Sequence, residues 1–113
     1  MTPHTSRDEI PPGTLDMLIL TTVAREGVLH GFEIASAIER QSANILQVEE
    51  GSLYPALQRL LMKGWIDGTW GRTPENRRAR YYKITPSGRK QLAHEVASYQ
   101  RVARAIGLVL RPS

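Results

Sequence analysis

The chain contains no cysteine, which removes disulfides, thiolate metal sites and thiol nucleophiles together and fits a reducing compartment. Histidine is scarce: His4, His30 and His94 are the only three, and they lie far apart. No His-x-x-x-His spacing exists and no Ser or Asp motif accompanies any of them, so neither a metal centre nor a nucleophile with its base is expected. No apolar run approaches the roughly 20 residues that span a bilayer, and the polar stretch from Met1 to Pro12 lacks the apolar centre of a signal peptide. A soluble, cytoplasmic protein without membrane contact is therefore expected. At 113 residues, 41% of them hydrophobic, the chain can build one domain with a modest core but no enclosed substrate chamber. A non-enzymatic protein without cofactor or metal is the reading. What is present is an excess of base: 15 Lys and Arg against 11 Asp and Glu give a formal charge of +4, which favours a polyanionic partner.

Along the chain, Leu15, Leu18, Ile19, Thr22 and Val23 recur at helical spacing and predict a first helix, capped near Thr14 and stopped by Gly27. A second short helix opens at His30-Gly31, with Ile34, Ala35, Ala37 and Ile38 on its apolar side. Beside Gly31 at a helix start, His30 is read as a capping residue and not as a base. The segment from Ile45 to Val48 suits one brief strand. Glu49 to Ser52 then read as the start of a third helix, the two carboxylates favoured by the positive end of its dipole. Pro55 is acceptable only in the first turn, which sets that start at Gly51 or Ser52, and Gly64 ends the helix after Lys63. Trp65 to Trp70 and Tyr81 to Thr85 predict two strands joined by a long turn holding Gly71, Pro74 and Asn76. Thr85-Pro86 is a good N-cap and N1 pair for a last helix from about Ser87 to Leu110.

The expected class is mainly α with a small β-hairpin. It divides into a flexible arm over 1–12, a head of three helices and a hairpin over 13–85 and a C-terminal helix over 86–113.

On the third helix Leu53, Ala56, Leu57, Leu60 and Leu61 gather on one side, for the core. Pro55, Gln58, Arg59 and Met62 face the other way, with Ser52 and Tyr54 flanking near the start. A hydroxyl, a phenol, an amide and a guanidinium near a helix N-terminus can donate to phosphates or read base edges. Directly after this helix, Arg72, Arg77, Arg78, Arg80 and Lys83 crowd the hairpin against a single Glu75, a basic finger able to neutralise phosphates. In the last helix Leu92, Val96, Tyr99, Ala103, Ile106 and Leu110 follow alternating steps of four and three, the repeat of a helix packed lengthwise on another. A homodimer seam is expected there, setting two recognition helices about 34 to 36 Å apart, one DNA turn, on a near-palindromic site.

The blocks Gly13-Thr14-Leu15-Asp16, His30-Gly31-Phe32-Glu33-Ile34, Glu50 to Leu57 (EGSLYPAL) and Arg78 to Thr85 (RARYYKIT) resemble those of the PadR transcriptional regulators, in the shorter subgroup with a single C-terminal helix. The resemblance implies a winged helix-turn-helix repressor of double-stranded DNA, dimeric through its last helix. It makes the third helix the recognition helix and the segment around Arg72 to Arg80 the wing. Some members of the family release DNA on binding a small aromatic or drug-like effector, and Tyr99 and Trp65 are the aromatic residues to line such a pocket. Phe32 stands where the family commonly has Tyr, which removes a hydroxyl.

Two rival readings keep the same fold: a winged helix used as a protein-interaction module, and an RNA binder using the same basic hairpin. Trp65, Trp70, Tyr81 and Tyr82 could stack single-stranded bases, but beside an apolar helix core positions are expected for them.

Overall fold

Apolar residues at helical spacing bury one face of each of three short helices, and these faces meet in one core. The computed structural model describes residues 8–11 and 13–112. The elements in chain order are β1 (Asp8–Glu9), α1 (Leu15–Glu26), β2 (Leu29–His30), α2 (Gly31–Gln41), β3 (Leu46–Gln47), α3 (Glu50–Met62), β4 (Ile66–Arg72), β5 (Arg78–Ile84) and α4 (Pro86–Leu110). Ile19, Leu20 and Val23 of α1, Ile34 and Ile38 of α2, and Leu53, Ala56, Leu57 and Leu60 of α3 form the core, closed by Ile66 and Tyr82 from the hairpin. Thr22 is buried among them and satisfies its hydroxyl by donating to the Leu18 carbonyl at 2.7 Å. Gly27 and Gly64, at φ 87° and 74°, end α1 and α3 in a left-handed conformation that costs glycine little. The mainly α architecture with a small hairpin and a long last helix matches the expectation.

Several details differ from what the residues suggested. Of the arm over 1–12, residues 1–7 and 12 lie outside the described residues, while Asp8–Glu9 pairs in parallel with Leu46–Gln47. The hairpin is part of a three-stranded sheet of order β2-β5-β4, because Leu29–His30 adds an antiparallel edge against Tyr82 and Tyr81. The helix α3 begins at Glu50, not at Gly51 or Ser52, so Pro55 sits in its second turn. The missing Pro55 N–H frees the Gly51 carbonyl, and Gly51 is exposed, so water can satisfy what the helix does not. The long turn is also shorter than expected. Strand pairing runs out to Arg72 opposite Arg78, leaving only residues 73–77 as the loop, with Asn76 at φ 64°.

The hairpin and α4 are locked to α3 at one junction. The Thr85 hydroxyl donates to the Gly64 carbonyl at 2.7 Å and accepts from Gly88 N–H at 2.9 Å, while Thr85 N–H donates to the Trp65 carbonyl at 3.0 Å. Pro86 fills N1, where a missing donor costs nothing. Gly88 is buried against the loop, and a Cβ there would stand 2.0 Å from the Trp65 carbonyl oxygen. Backbone cannot give way as a flexible side chain can. Gly88→Ala is therefore expected to destabilise the fold by about 3 kcal/mol, read as a lowered midpoint in chemical denaturation with an unchanged slope.

Candidate nucleic-acid interface

Strand alternation sorts the hairpin into two faces. Ile66, Gly68, Trp70 and Arg72 of β4 share a face with Ile84, Tyr82, Arg80 and Arg78 of β5, register partners in pairs. This face enters the core at its base and continues outward along α3 as the wall of a groove. Asp67, Thr69 and Gly71 with Lys83, Tyr81 and Ala79 form the other face.

The groove has a volume of about 800 Å³. Its walls are the start of α2 at His30 to Phe32, Tyr54 and Gln58 of α3, and Trp70 and Arg77 to Arg80 of the wing. Each wall is held by identifiable chemistry. His30 caps α2 through a reciprocal box, its Nδ1 accepting from Glu33 N–H at 3.4 Å and its own N–H donating to Glu33 Oε1 at 3.0 Å. Tyr54 lies across Gly31, where an added Cβ would come within 2.9 Å of the phenol ring. Trp70 stands 57% exposed, with the Arg78 guanidinium 4.4 Å and that of Arg80 5.8 Å from its ring centroid.

The expected core position therefore fails for Trp70, because strand pairing carries it past the end of the core. Tyr82 is buried in the core and Trp65 packs half-buried against it. Tyr81 lies half-buried on the other sheet face, its hydroxyl donating to the Arg72 carbonyl at 3.0 Å, so the expected core position fails for it as well. Phe32 is 71% exposed at the groove mouth.

The residues singled out from the sequence divide accordingly. Tyr54, Gln58, Arg77, Arg78 and Arg80 come together around this groove. Ser52, Pro55 and Arg59 lie on the opposite flank of α3, beside Ile10, Pro11 and the Gln47–Glu49 segment. Arg59 is engaged by Asp16 of α1 at 2.9 Å. Arg72 donates to the Asn76 carbonyl at 3.1 Å and so braces the wing loop. Lys83 is exposed on the far sheet face, opposite Asp67. Gly31, Gly68 and Trp70 were not picked out as site residues. The spacing of Trp70 from Ile66, on one strand face, was the available signal.

In α4, Leu92 packs against the core and Val96 is half-buried, whereas Tyr99, Ala103, Ile106 and Leu110 are exposed. Val102 and Val109 are exposed beside them and widen the stripe. All of residues 101–110 are exposed, and the radius of gyration of 15.8 Å exceeds the about 13 Å of a compact domain this long. Tyr99 also lines a groove of about 450 Å³ with Gly13, Met17 and Val102, which Trp65 does not reach. Among the described residues no cluster of three or more His, Cys, Asp or Glu could hold a metal ion. No described helix is long and apolar enough to cross a membrane.

A helical head, a three-stranded sheet and an exposed hairpin beside the third helix define a winged helix-turn-helix. The chain belongs to the Transcriptional regulator PadR-like family, whose model matches residues 19–94. This is a family of regulators and not of enzymes. An uncharacterised protein of Lysinibacillus sphaericus is 31% identical over 92% of this chain and 94% of its own length. The structure of a transcriptional regulator from Clostridium thermocellum superposes with a TM-score of 0.79 at 28% identity, covering 88% of this chain and 95% of that one. The crystal structure of Bacillus subtilis PadR in complex with operator DNA is similar in fold, with a TM-score of 0.65 at 24% identity over 76% of this chain and 48% of that one.

Under the groove, burial holds the Tyr82 phenol above its ordinary value, opposed by the Arg80 guanidinium and reinforced by Tyr54. A phenol harder to ionise when folded leaves stability unchanged below the unfolded value, about 10. Stability then falls as pH rises through the raised folded value, because the unfolded chain loses the proton first. Denaturation at pH 8 and pH 11 should show this loss, and Tyr82→Phe should show a smaller one.

Proposed function

We propose that this chain is a sequence-specific transcriptional repressor that binds double-stranded DNA as a homodimer. The observation that carries the reading is the placement of Tyr54 and Gln58 on the exposed side of α3, across one groove from the wing cations Arg77, Arg78 and Arg80. A recognition helix in the major groove and a basic hairpin reaching the adjacent backbone or minor groove need this arrangement. The family membership and the relative held in complex with operator DNA support the same reading. The arrangement gives the cations different weights: Arg77 and Arg78 are exposed toward DNA, Arg59 of α3 and Arg72 of the wing serve internal contacts, and Lys83 faces away.

The exposed stripe of α4, Tyr99 through Leu110, is the homodimer seam in this reading, since the head of one subunit cannot cover it. The division is a head over 13–85 and a dimerisation helix over 86–113, working in the cytoplasm. Release by a small aromatic or drug-like effector belongs to the same reading. The groove between Met17 and Tyr99 is its site, and dissociation of the operator complex on adding such a ligand is its signature.

Selection of duplex DNA from random sequence, with light scattering on the complex, tests the whole. A two-fold symmetric site bound by a dimer is expected. Equal binding to any polyanion, or preference for single-stranded RNA, would transfer the fold to another role. Two substitutions then separate reading from anchoring. Gln58→Ala should cost about 1 to 3 kcal/mol on the selected site and little on random duplex. Arg78→Ala should weaken both alike and make the salt dependence shallower by about 0.9 in slope.

A further inference from the structure

Arg80 differs from every other cation of the wing. Arg72, Arg77, Arg78 and Lys83 are exposed, whereas Arg80 is half-buried in the groove wall, and its Nε is buried with no hydrogen-bond partner. Among the described residues no carboxylate pairs with it, although Glu50 and Glu75 line the same groove. A buried N–H left without an acceptor costs free energy. Arg80 is also held in place. Its guanidinium lies flat over Gly68, where an added Cβ would meet Nε at 2.5 Å, and it shares the Trp70 ring with Arg78. The strand position opposite Arg80 is Trp70, and its neighbour two residues back is Gly68, so the sheet supplies both the ring and the space.

A half-buried cation without a counter-charge, packed between a recognition helix and a wing, fits one ligand chemistry. The strand of a duplex that separates the major from the minor groove must cross this cleft, and it carries phosphates. We propose that Arg80 is a preformed seat for one backbone phosphate of duplex DNA, with Gly68 and Trp70 as its positioning residues. The seat rests on the DNA-binding reading and deepens it. The phosphate supplies the counter-charge that the fold withholds, and little side-chain freedom is lost on contact because Arg80 is already ordered.

The test uses the full chain and follows binding to the selected duplex and to random duplex across a salt series. Arg80→Gln should weaken both by about tenfold and make the slope shallower by about 0.9. Lys83→Gln removes the same charge from the far sheet face and should do much less. Gly68→Ala should reproduce most of the Arg80→Gln loss, and the double variant should lose no more than Arg80→Gln alone. Thermal melting separates this from a structural role: Arg80→Gln should melt no lower than the parent, whereas a residue needed for the fold would lower it. Wild-type binding that Arg80→Gln leaves unchanged overturns the seat and spares the repressor reading, while a parent protein that binds no duplex removes both. Stabilisation of the parent by millimolar inorganic phosphate, with duplex binding unchanged in Arg80→Gln, would make this a free-anion site and also overturn it.

Discussion

The hydroxyl of Thr85 is the constraint on which the rest of the architecture turns. It donates to the carbonyl that ends α3 and accepts the amide that begins α4, while its backbone N–H closes the base of the hairpin on Trp65. Hydrophobic burial holds α1, α2 and α3 together but is non-directional. It does not say at what angle the wing or the last helix should leave the core. A hydroxyl that is donor and acceptor at once, with Gly88 packed against the same loop, fixes where both leave the core, and the packing of α4 on α1 carries that direction along the helix.

The groove is shaped in the same manner, by contacts that leave no room for a methyl group. Gly31 lets the Tyr54 ring lie against the start of α2, and Gly68 lets Arg80 lie flat on the sheet. These two approaches turn one aromatic and one cation toward the same space from opposite walls. The blocks around His30 to Ile34 and Glu50 to Leu57 are thus two halves of one contact, which gives a physical reason for their occurrence together.

Much of the fold was legible because its signals are local. Gly27, Gly64 and Thr85-Pro86 punctuate the helices where they stand, and the apolar spacing of α1, α2 and α3 selects the buried faces. Two-residue strands carry no periodicity, so the pairings of Asp8–Glu9 and Leu29–His30 were invisible. The wing reads as a long turn because Gly71, Pro74 and Asn76 are turn formers and the arginines around them leave no alternation of apolar and polar residues, the usual sign of a strand. Trp70 was expected inside because aromatic character argues for the core, while its register with Arg80 shows that the core has ended there. Charge counting likewise gave Arg59, Arg72, Arg78, Arg80 and Lys83 equal weight, because Asp16, Trp70 and Asp67, which distinguish Arg59, Arg78, Arg80 and Lys83, are remote in sequence or lie on a neighbouring strand. The Asn76 carbonyl that engages Arg72 is backbone, which residue type does not reveal. The stripe on α4 was found, but a strict alternation of four and three omits Val102 and Val109, which border it.

The junction at Thr85 also connects the two halves of the proposed function. In a dimer joined through α4, the separation of the two recognition helices depends on the angle between α4 and α3. That angle is held by the hydrogen bonds among Gly64, Trp65, Thr85 and Gly88 together with the packing of α4 along α1, and not by a flexible linker. A chain built this way has little freedom to adjust to half-sites at other spacings, so selectivity for spacing would arise at the junction, remote from any base contact. Sequence reading at Gln58 and spacing reading at Thr85 are then separate contributions. A substitution that loosens the junction without unfolding it should relax the second and leave the first intact.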